Sequence, residues 1–344
     1  MTVARTGGDA ASIAAAARAL EQGALVAFPT ETVYGLGADA SNPAAVAAIY
    51  AAKGRPQDHP VIVHLAPGAD LADWASDIPP EAHQLAAAFW PGPLTMILKR
   101  APGVPADVSG GQDTIGVRCP AHPLAIALLQ AFRHGRGGIA APSANKFGHV
   151  SPTTAQHVRD EFAADGSVAM VLDGGASEVG IESTIVDLSR LATHGPVLLR
   201  PGHISADAIA AVIDRLPASA DAAAPRASGT LESHYAPHTP VAMQESAQLA
   251  VTVARLQAAG KKVALIHYSA MPASHAALRL PAAPAGFAHA LYAALRSMDG
   301  SGAELILVEA PPRDALWTGV NDRLRRAAHG SSGIVHGLLN TDTP

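Results

Sequence analysis

FPTETVYGLGADA, residues 28–40, sets two threonines, a glutamate and a tyrosine just ahead of Gly35-Leu-Gly37. A strand-like run, Ala24–Phe28, leads into it, and a helix-like run leads out after Ser41-Asn-Pro43. Glycines between a strand and a helix often hold a phosphate at the helix N-terminus. Gly35-Leu-Gly37-Ala-Asp-Ala40 even matches the dinucleotide pattern G-x-G-x-x-A. That pattern needs its first glycine directly after the strand, whereas six residues, Pro29 to Tyr34, intervene here. Asp58 lies near the distance of a ribose-binding acid, but inside KGRPQDHP, a proline-broken turn. The G-x-x-x-x-G-K-[ST] loop is also absent. The stretch therefore reads as something other than a dinucleotide loop, a place that needs hydroxyls and a bare backbone.

Outward from it, apolar or alternating runs predict strands at 25–28, 61–65, 94–98, 114–117, 138–141, 170–172, 183–186 and 197–199. Helical runs fall at 10–21, 43–52, 80–90, 123–132 and 153–161, several opening on a proline that suits a first turn. This order predicts one α/β domain on a large mixed sheet over residues 1–205. A stretch rich in proline, alanine and serine follows at 216–240 and, with the short helix before it, reads as a linker over 206–240. Strand runs at 241–243, 263–268, 278–280 and 305–308, with helices between them, predict a small open parallel sheet over 241–344.

The chain has 344 residues, long for one core and natural for two domains. Hydrophobic residues make up 49% and charged residues 15%, which marks a globular protein and excludes overall disorder. A net charge of −5 argues against a broad basic field, so no stable nucleic-acid binding is expected. Cys119 is the only cysteine, which excludes internal disulfides and thiolate zinc clusters and makes a reducing cytoplasm the expected location. Neither a secretory leader nor an apolar run long enough for a bilayer is read, so no membrane partner is expected.

Four cations stand beside strand or helix ends amid hydroxyl-bearing side chains: Lys53 and Arg55 in KGRPQDHP, Arg118 in GVRCP, Arg200 in LLRPG. Pro56 and Pro60 stiffen the first loop, and His59 and His64 follow, so that loop can grip an anion. Taken singly, Lys53 and Arg55 are also what a helix C-terminus favours. APSANKFGHVSPTTA, residues 141–155, presents Ser143, Asn145 and Ser151 on a turn before a helix, where short polar side chains also serve as caps. The mixture suits a polyphosphate plus a small polar molecule whose carboxylate needs an arginine. Neither G-x-S-x-G nor H-E-x-x-H occurs, which argues against acyl-serine hydrolysis and zinc proteolysis.

FPTETVYGLGADA, KGRP with HP, WPGPLT, GVRCPAHP, APSAN with SPT, GIESTIVD and LRPG follow one another across about residues 20–203. In this order they resemble the YrdC-type L-threonylcarbamoyladenylate synthases in their two-domain form. SHYAPHTP and the βαβ tail resemble that form's linker and accessory domain. The resemblance implies a twisted mixed sheet with a concave cleft, a linker reaching over it, and a Rossmann-like second domain. It implies a reaction in which L-threonine, bicarbonate or CO2, and ATP with Mg²⁺ give threonylcarbamoyl-AMP and pyrophosphate. The product would feed the tRNA threonylcarbamoyl-transfer machinery that modifies the adenosine beside the anticodon. Carried over by position, threonine would meet Thr32, His64, Arg118, Ser183 and the backbone near Ala141. ATP would meet Lys53, Arg55, His59, Thr114, Ser143, Asn145, Ser151 and Arg200, with His234 from the linker, and Lys53 and Arg55 would stabilise charge during the reaction. Ser228-Gly-Thr-Leu-Glu-Ser233 stands where many relatives carry a basic segment. The rival reading is an RNA-binding module of YrdC type without adenylate synthesis.

Overall fold

The computed structural model describes residues 4–6, 9–271 and 274–340. The chain divides into two compact units, one of residues up to 147 together with 151–230, the other of 148–150 together with the residues from 231 onward.

In the first unit, twelve strands among the described residues make one mixed sheet. Its order runs Ala4–Thr6, Val168–Leu172, Leu25–Phe28, Gly35–Asp39, Ile139–Ala140, Ile62–His64, Thr114–Arg118, Leu94–Arg100, Thr184–Asp187, Val197–Arg200 and Ala218–Ser219, and Ala75–Ser76 pairs beside Leu94–Arg100. Central strands such as Leu25–Phe28 and Thr114–Arg118 are buried along their whole length. That explains why they read as unbroken apolar runs, since both faces are covered. Helix starts follow local chemistry: Asp9 caps Ala10–Glu21, Asn42 caps Pro43–Lys53 with proline in the first turn, and Ser205 caps Ala206–Ile213.

GLGAD, where the sequence suggested no strand, is one: Gly35–Asp39 returns antiparallel to Leu25–Phe28, with Gly37 opposite Val26. The physical reason is packing, because a Cβ on Gly37 would sit 2.8 Å from the Phe28 ring and 2.9 Å from Ile139. The glycine makes room for the sheet's own side chains, which a periodicity reading cannot see. The stretch expected as a linker, 206–240, carries structure of its own. Helix Ala206–Ile213 buries Ile209 and Ile213 in the main core, Ala218–Ser219 pairs with Val197–Leu198, and the units divide between Thr230 and Leu231.

The second unit carries four parallel strands in the order Val241–Gln244, Leu305–Glu309, Val263–His267, Ala276–Arg279. Helices Ser246–Ala258, Pro284–Asp299, Thr318–Ala327 and Ile334–Asn340 accompany them, giving the Rossmann-like order read from the sequence. Leu249, Val253 and Leu256 of the first of these helices pack on Val263, Leu265, Leu305 and Leu307.

Candidate active site

Register brings the first pair together. Strands Ile62–His64 and Thr114–Arg118 run parallel and end with His64 beside Arg118. Arg118 Nη1 donates to Thr32 Oγ1 at 2.9 Å, Nη2 to Glu31 Oε1 at 2.5 Å, and Nε to the Gly92 carbonyl at 3.2 Å. Thr32 is held in turn by Thr30, whose hydroxyl lies 2.8 Å away and donates to the Val33 carbonyl at 2.6 Å. The TET loop after Phe28 is therefore folded around its own hydroxyls, which fixes Thr32 against the guanidinium. Burial, and secondarily the Arg118 charge, push the His64 imidazole down to about 3, so it is neutral at physiological pH. The Ala141 amide donates to the Ile62 carbonyl at 2.9 Å, which sets it two residues from His64 in the neighbouring segment.

A second cluster forms around Ser183. Its hydroxyl is 2.8 Å from Thr95 Oγ1 and accepts from Arg200 Nη2 at 3.1 Å, while its carbonyl accepts from Arg200 Nε at 3.0 Å. Arg200 Nη1 reaches the Ser228 carbonyl at 2.8 Å, and Arg55 Nη2 reaches the Ser228 hydroxyl at 3.2 Å and the Pro60 carbonyl at 2.8 Å. Thr95 lies on the strand between that of Arg118 and the one that Ser183 immediately precedes, Thr184–Asp187, so the hydroxyl pair links the two corners.

Lys53 makes the third cluster. Its Nζ donates to the main-chain carbonyls of Ser143 and Asn145, each at 2.5 Å. Burial and the neighbouring Arg55 charge hold its pKa well below the usual lysine value, against a pull from Glu161. His59 packs edge-on to Phe147 at 5.4 Å, and burial with the Arg55 charge lowers its pKa. Ser151 donates to the Glu182 carboxylate at 2.5 Å. Thr114, nearly buried, opens the Arg118 strand opposite Lys99. His234 belongs to the second unit, where its amide donates to the Arg326 carbonyl and its ring meets Tyr235 edge-on at 4.2 Å.

Lys53, Arg55, Arg118 and Arg200 are only 2%, 8%, 4% and 3% exposed. Nearly buried cations are rare on surfaces built only for solubility; Arg55 and Arg200 meet at Ser228, Lys53 holds the Ser143 and Asn145 carbonyls, and Arg118 holds Thr32, Gly92 and the Glu31 carboxylate. Among the described residues no group of three or more His, Cys, Asp or Glu side chains is placed to hold a metal ion.

Residues 18–202 match the family model described as "Telomere recombination", and residues 204–329 match "Threonylcarbamoyl-AMP synthase, C-terminal domain". The chain is 41% identical over 326 residues to a threonylcarbamoyl-AMP synthase of Pyrococcus abyssi, covering 91% of this chain and 93% of that one. This chain belongs to the threonylcarbamoyl-AMP synthase family. A Bacillus subtilis threonylcarbamoyl-AMP synthase is 40% identical over 334 residues, covering 92% and 93% of the two chains. The crystal structure of P. abyssi Sua5 complexed with L-threonine superposes with a TM-score of 0.86 at 38% identity, covering 93% of this chain and 95% of that one. This threonylcarbamoyl-AMP synthase family member is thus similar to its relatives along both units.

Within the family frame, the structure also brings in residues that the sequence reading did not select: Glu31, Thr95, Glu182 and Ser228. Three of them lie inside motifs already quoted, TET, PGPLT and GIEST. Burial opposite a cation or a hydroxyl marks them, and that is visible only after folding. Ser228 has no such signal; it lies in a stretch of alanine, proline and serine.

Proposed function

We infer that the chain converts L-threonine, bicarbonate or CO2, and ATP into threonylcarbamoyl-AMP and pyrophosphate, as a nucleotidyltransferase. One observation carries the reading: in a chain like threonylcarbamoyl-AMP synthases over nine-tenths of its length, Ser183 bonds Thr95 on one side and Arg200 on the other. The Arg118 corner and the Arg55–Arg200 pair therefore share a wall, and an amino acid and a nucleotide can lie side by side along it.

Arg118 grips the threonine carboxylate, and Thr32 and Ser183 meet its polar groups. Threonine's ammonium first loses a proton; its nitrogen then bonds to the carbon of bicarbonate, and hydroxide leaves with a second nitrogen proton as water. A carbamate oxygen attacks the α-phosphorus, the bond to the β-phosphate breaks, and pyrophosphate leaves. The bonds described for Arg55 and Arg200 to Ser228 go to neutral oxygens, which an anionic phosphate outcompetes because charge-assisted bonds are stronger. Catalysis on this reading is positioning plus charge stabilisation, with no covalent enzyme intermediate. Mg²⁺ enters as part of the substrate MgATP, held by phosphates and water, as this ion commonly is. Lys53 acts through the Ser143–Asn145 loop that its Nζ fastens.

The cytoplasm is the proposed location, with a tRNA threonylcarbamoyl-transfer system consuming the product. No helix among the described residues is long and apolar enough to cross a membrane. The likeness to synthases over both units disfavours the RNA-binding alternative. Incubation with threonine, bicarbonate and ATP should yield the threonylcarbamoyl adenylate by mass spectrometry, with serine as control. Absence of that mass with ATP intact, or tight tRNA binding without ATP turnover, overturns the reading.

A further inference from the structure

We propose that Glu31 is a specificity-determining residue that makes the Arg118 corner a receptor for a zwitterion, a free amino acid with its ammonium, rather than for a simple carboxylate. The proposal rests on the synthase reading for what is bound there. Glu31 is 5% exposed, and each of its carboxylate oxygens has a task. Oε1 takes Arg118 Nη2 at 2.5 Å, and Oε2 takes the Ala121 amide at 3.0 Å. One carboxylate thus clamps both the guanidinium and the main chain three residues beyond it. The Glu31 backbone is fixed as well, since its carbonyl accepts from the Val179 amide at 2.7 Å.

Two consequences follow from these contacts. The first is geometric. A guanidinium has five N–H groups; Glu31, Thr32 and Gly92 take three of them, leaving one on each Nη. Those two form the fork that a ligand carboxylate meets. The second is electrostatic. Arg118 carries one positive charge and Glu31 one negative charge, and the His64 imidazole beside them is neutral. The corner as a whole is therefore uncharged, with its positive end at the fork. An anion gains from the guanidinium but is opposed by the carboxylate behind it. A zwitterion is not opposed in the same way, because its ammonium offsets that carboxylate. Once the amine has become a carbamate, the molecule is a dianion that the neutral corner no longer matches. Arg55 and Arg200, beyond the Thr95–Ser183 pair, then become the better partners, on the side where the reaction needs the carbamate.

The test uses full-length protein and two ligands that share a carboxylate and a hydroxyl, L-threonine and 3-hydroxybutyrate, the latter without the amine. Calorimetric titration of wild type should show a clear preference for threonine. Glu31→Gln should weaken threonine by about tenfold or more, the effect of losing a bond to a charged group. It should leave 3-hydroxybutyrate unchanged or tighter, and the Michaelis constant for ATP within about twofold, as expected for a side chain whose own bonds stay with Arg118 and Ala121. Glu31→Asp keeps the charge and should keep the preference while weakening both ligands. Equal weakening of both ligands by Glu31→Gln, or an unchanged threonine affinity, overturns the proposal. Should Glu31→Gln fail to fold by circular dichroism, the Glu31→Asp preference decides: retained supports it, lost overturns it. Wild type that prefers threonine yet releases no threonine-dependent pyrophosphate sinks the synthase reading alone. Wild type that turns over while Glu31→Gln keeps the wild-type preference sinks the role of Glu31 alone.

Discussion

Arg55 and Arg200 both donate to Ser228, Arg55 to its hydroxyl at 3.2 Å and Arg200 to its carbonyl at 2.8 Å. A residue from the segment read as linker thus holds two cations, one just past the helix Pro43–Lys53 and one at the end of the strand Val197–Arg200. Its hydroxyl also donates to the Pro60 carbonyl at 2.8 Å, so it fixes the proline-bounded loop that carries Arg55. Ser228→Ala removes the hydroxyl and leaves the carbonyl for Arg200. The Arg55 bond gives way to phosphate in any case, so what the nucleotide-bound enzyme loses is the tie to Pro60 that positions Arg55; one hydrogen bond contributes about 1 kcal/mol, so the Michaelis constant for ATP should rise by about fivefold. The constant for threonine should hold. Steady-state pyrophosphate release at varied ATP and varied threonine measures both, and an equal rise in the two would show that the cluster does not serve the nucleotide selectively.

Lys53 ties one loop at two points, through Nζ to the Ser143 and Asn145 carbonyls and through its own carbonyl to the Phe147 amide at 2.8 Å. Lys53→Met keeps the apolar stem and removes the donors, leaving two carbonyls without that partner at a cost of about 1–3 kcal/mol each. The melting temperature should fall by several degrees. Turnover should fall further, by about 10²-fold, the scale of a reacting group misplaced by about 1 Å. Lys53→Arg should fail to restore turnover, since the nearly closed site around Nζ has no room for a planar fork. Thermal unfolding and ATP-dependent pyrophosphate release check both arms; a Lys53→Met enzyme with normal values for each would remove Lys53 from the site.

Much of this fold was legible because central strands are covered on both faces and read as apolar runs, and because Asp9, Asn42 and Ser205 announce helix starts. The parallel order of the second unit was legible for the same reason. Gly35–Asp39 escaped because its glycines answer to Phe28 and Ile139, which are tertiary neighbours. The candidate site was legible where a side chain's type limits its chemistry, as with the buried cations. It was not legible where a plain residue acquires a role by position. Ser228 and Thr95 are ordinary hydroxyls until the strand order sets one between two arginines and the other against Ser183.

Gly202, in LRPG, is a further case in which the fold needs a missing side chain. A Cβ there would lie 2.5 Å from the Thr184 amide nitrogen, 2.8 Å from the Glu182 carbonyl oxygen and 2.8 Å from the Ser183 carbonyl carbon. All three contacts are backbone and cannot swing aside, so Gly202→Ala must push the Glu182–Thr184 segment away from the Arg200 strand. Overpacking of this kind costs about 1–3 kcal/mol. The displaced segment carries the Ser183 hydroxyl that Arg200 and Thr95 hold, so threonine and ATP affinity should fall together. Calorimetric titration with each ligand tests this. Loss of one affinity alone would show that Ser183 does not join the two corners.

His64 predicts a pH dependence of stability. Its imidazole is pushed from an ordinary 6.5 to about 3 by burial and by Arg118. Above pH 6.5 the group is neutral in both folded and unfolded chains and contributes no slope. Below 6.5 the unfolded chain takes up a proton that the folded chain refuses until about pH 3, so stability falls as pH falls through that window. The limiting slope is about 1.4 kcal/mol per pH unit, and between pH 6.5 and 5.5 the loss from this one group should be about 1 kcal/mol. His64→Gln cannot titrate. It should lower stability at neutral pH through lost packing against Phe28, whose ring meets the imidazole edge-on at 6.1 Å, yet flatten the acid slope relative to wild type. Urea unfolding at pH 7.5, 6.5 and 5.5 compares the two slopes, and the other histidines, common to both proteins, cancel in the difference. Parallel slopes would mean that His64 becomes charged in the folded protein, which would make the Arg118 corner more positive than its contacts indicate.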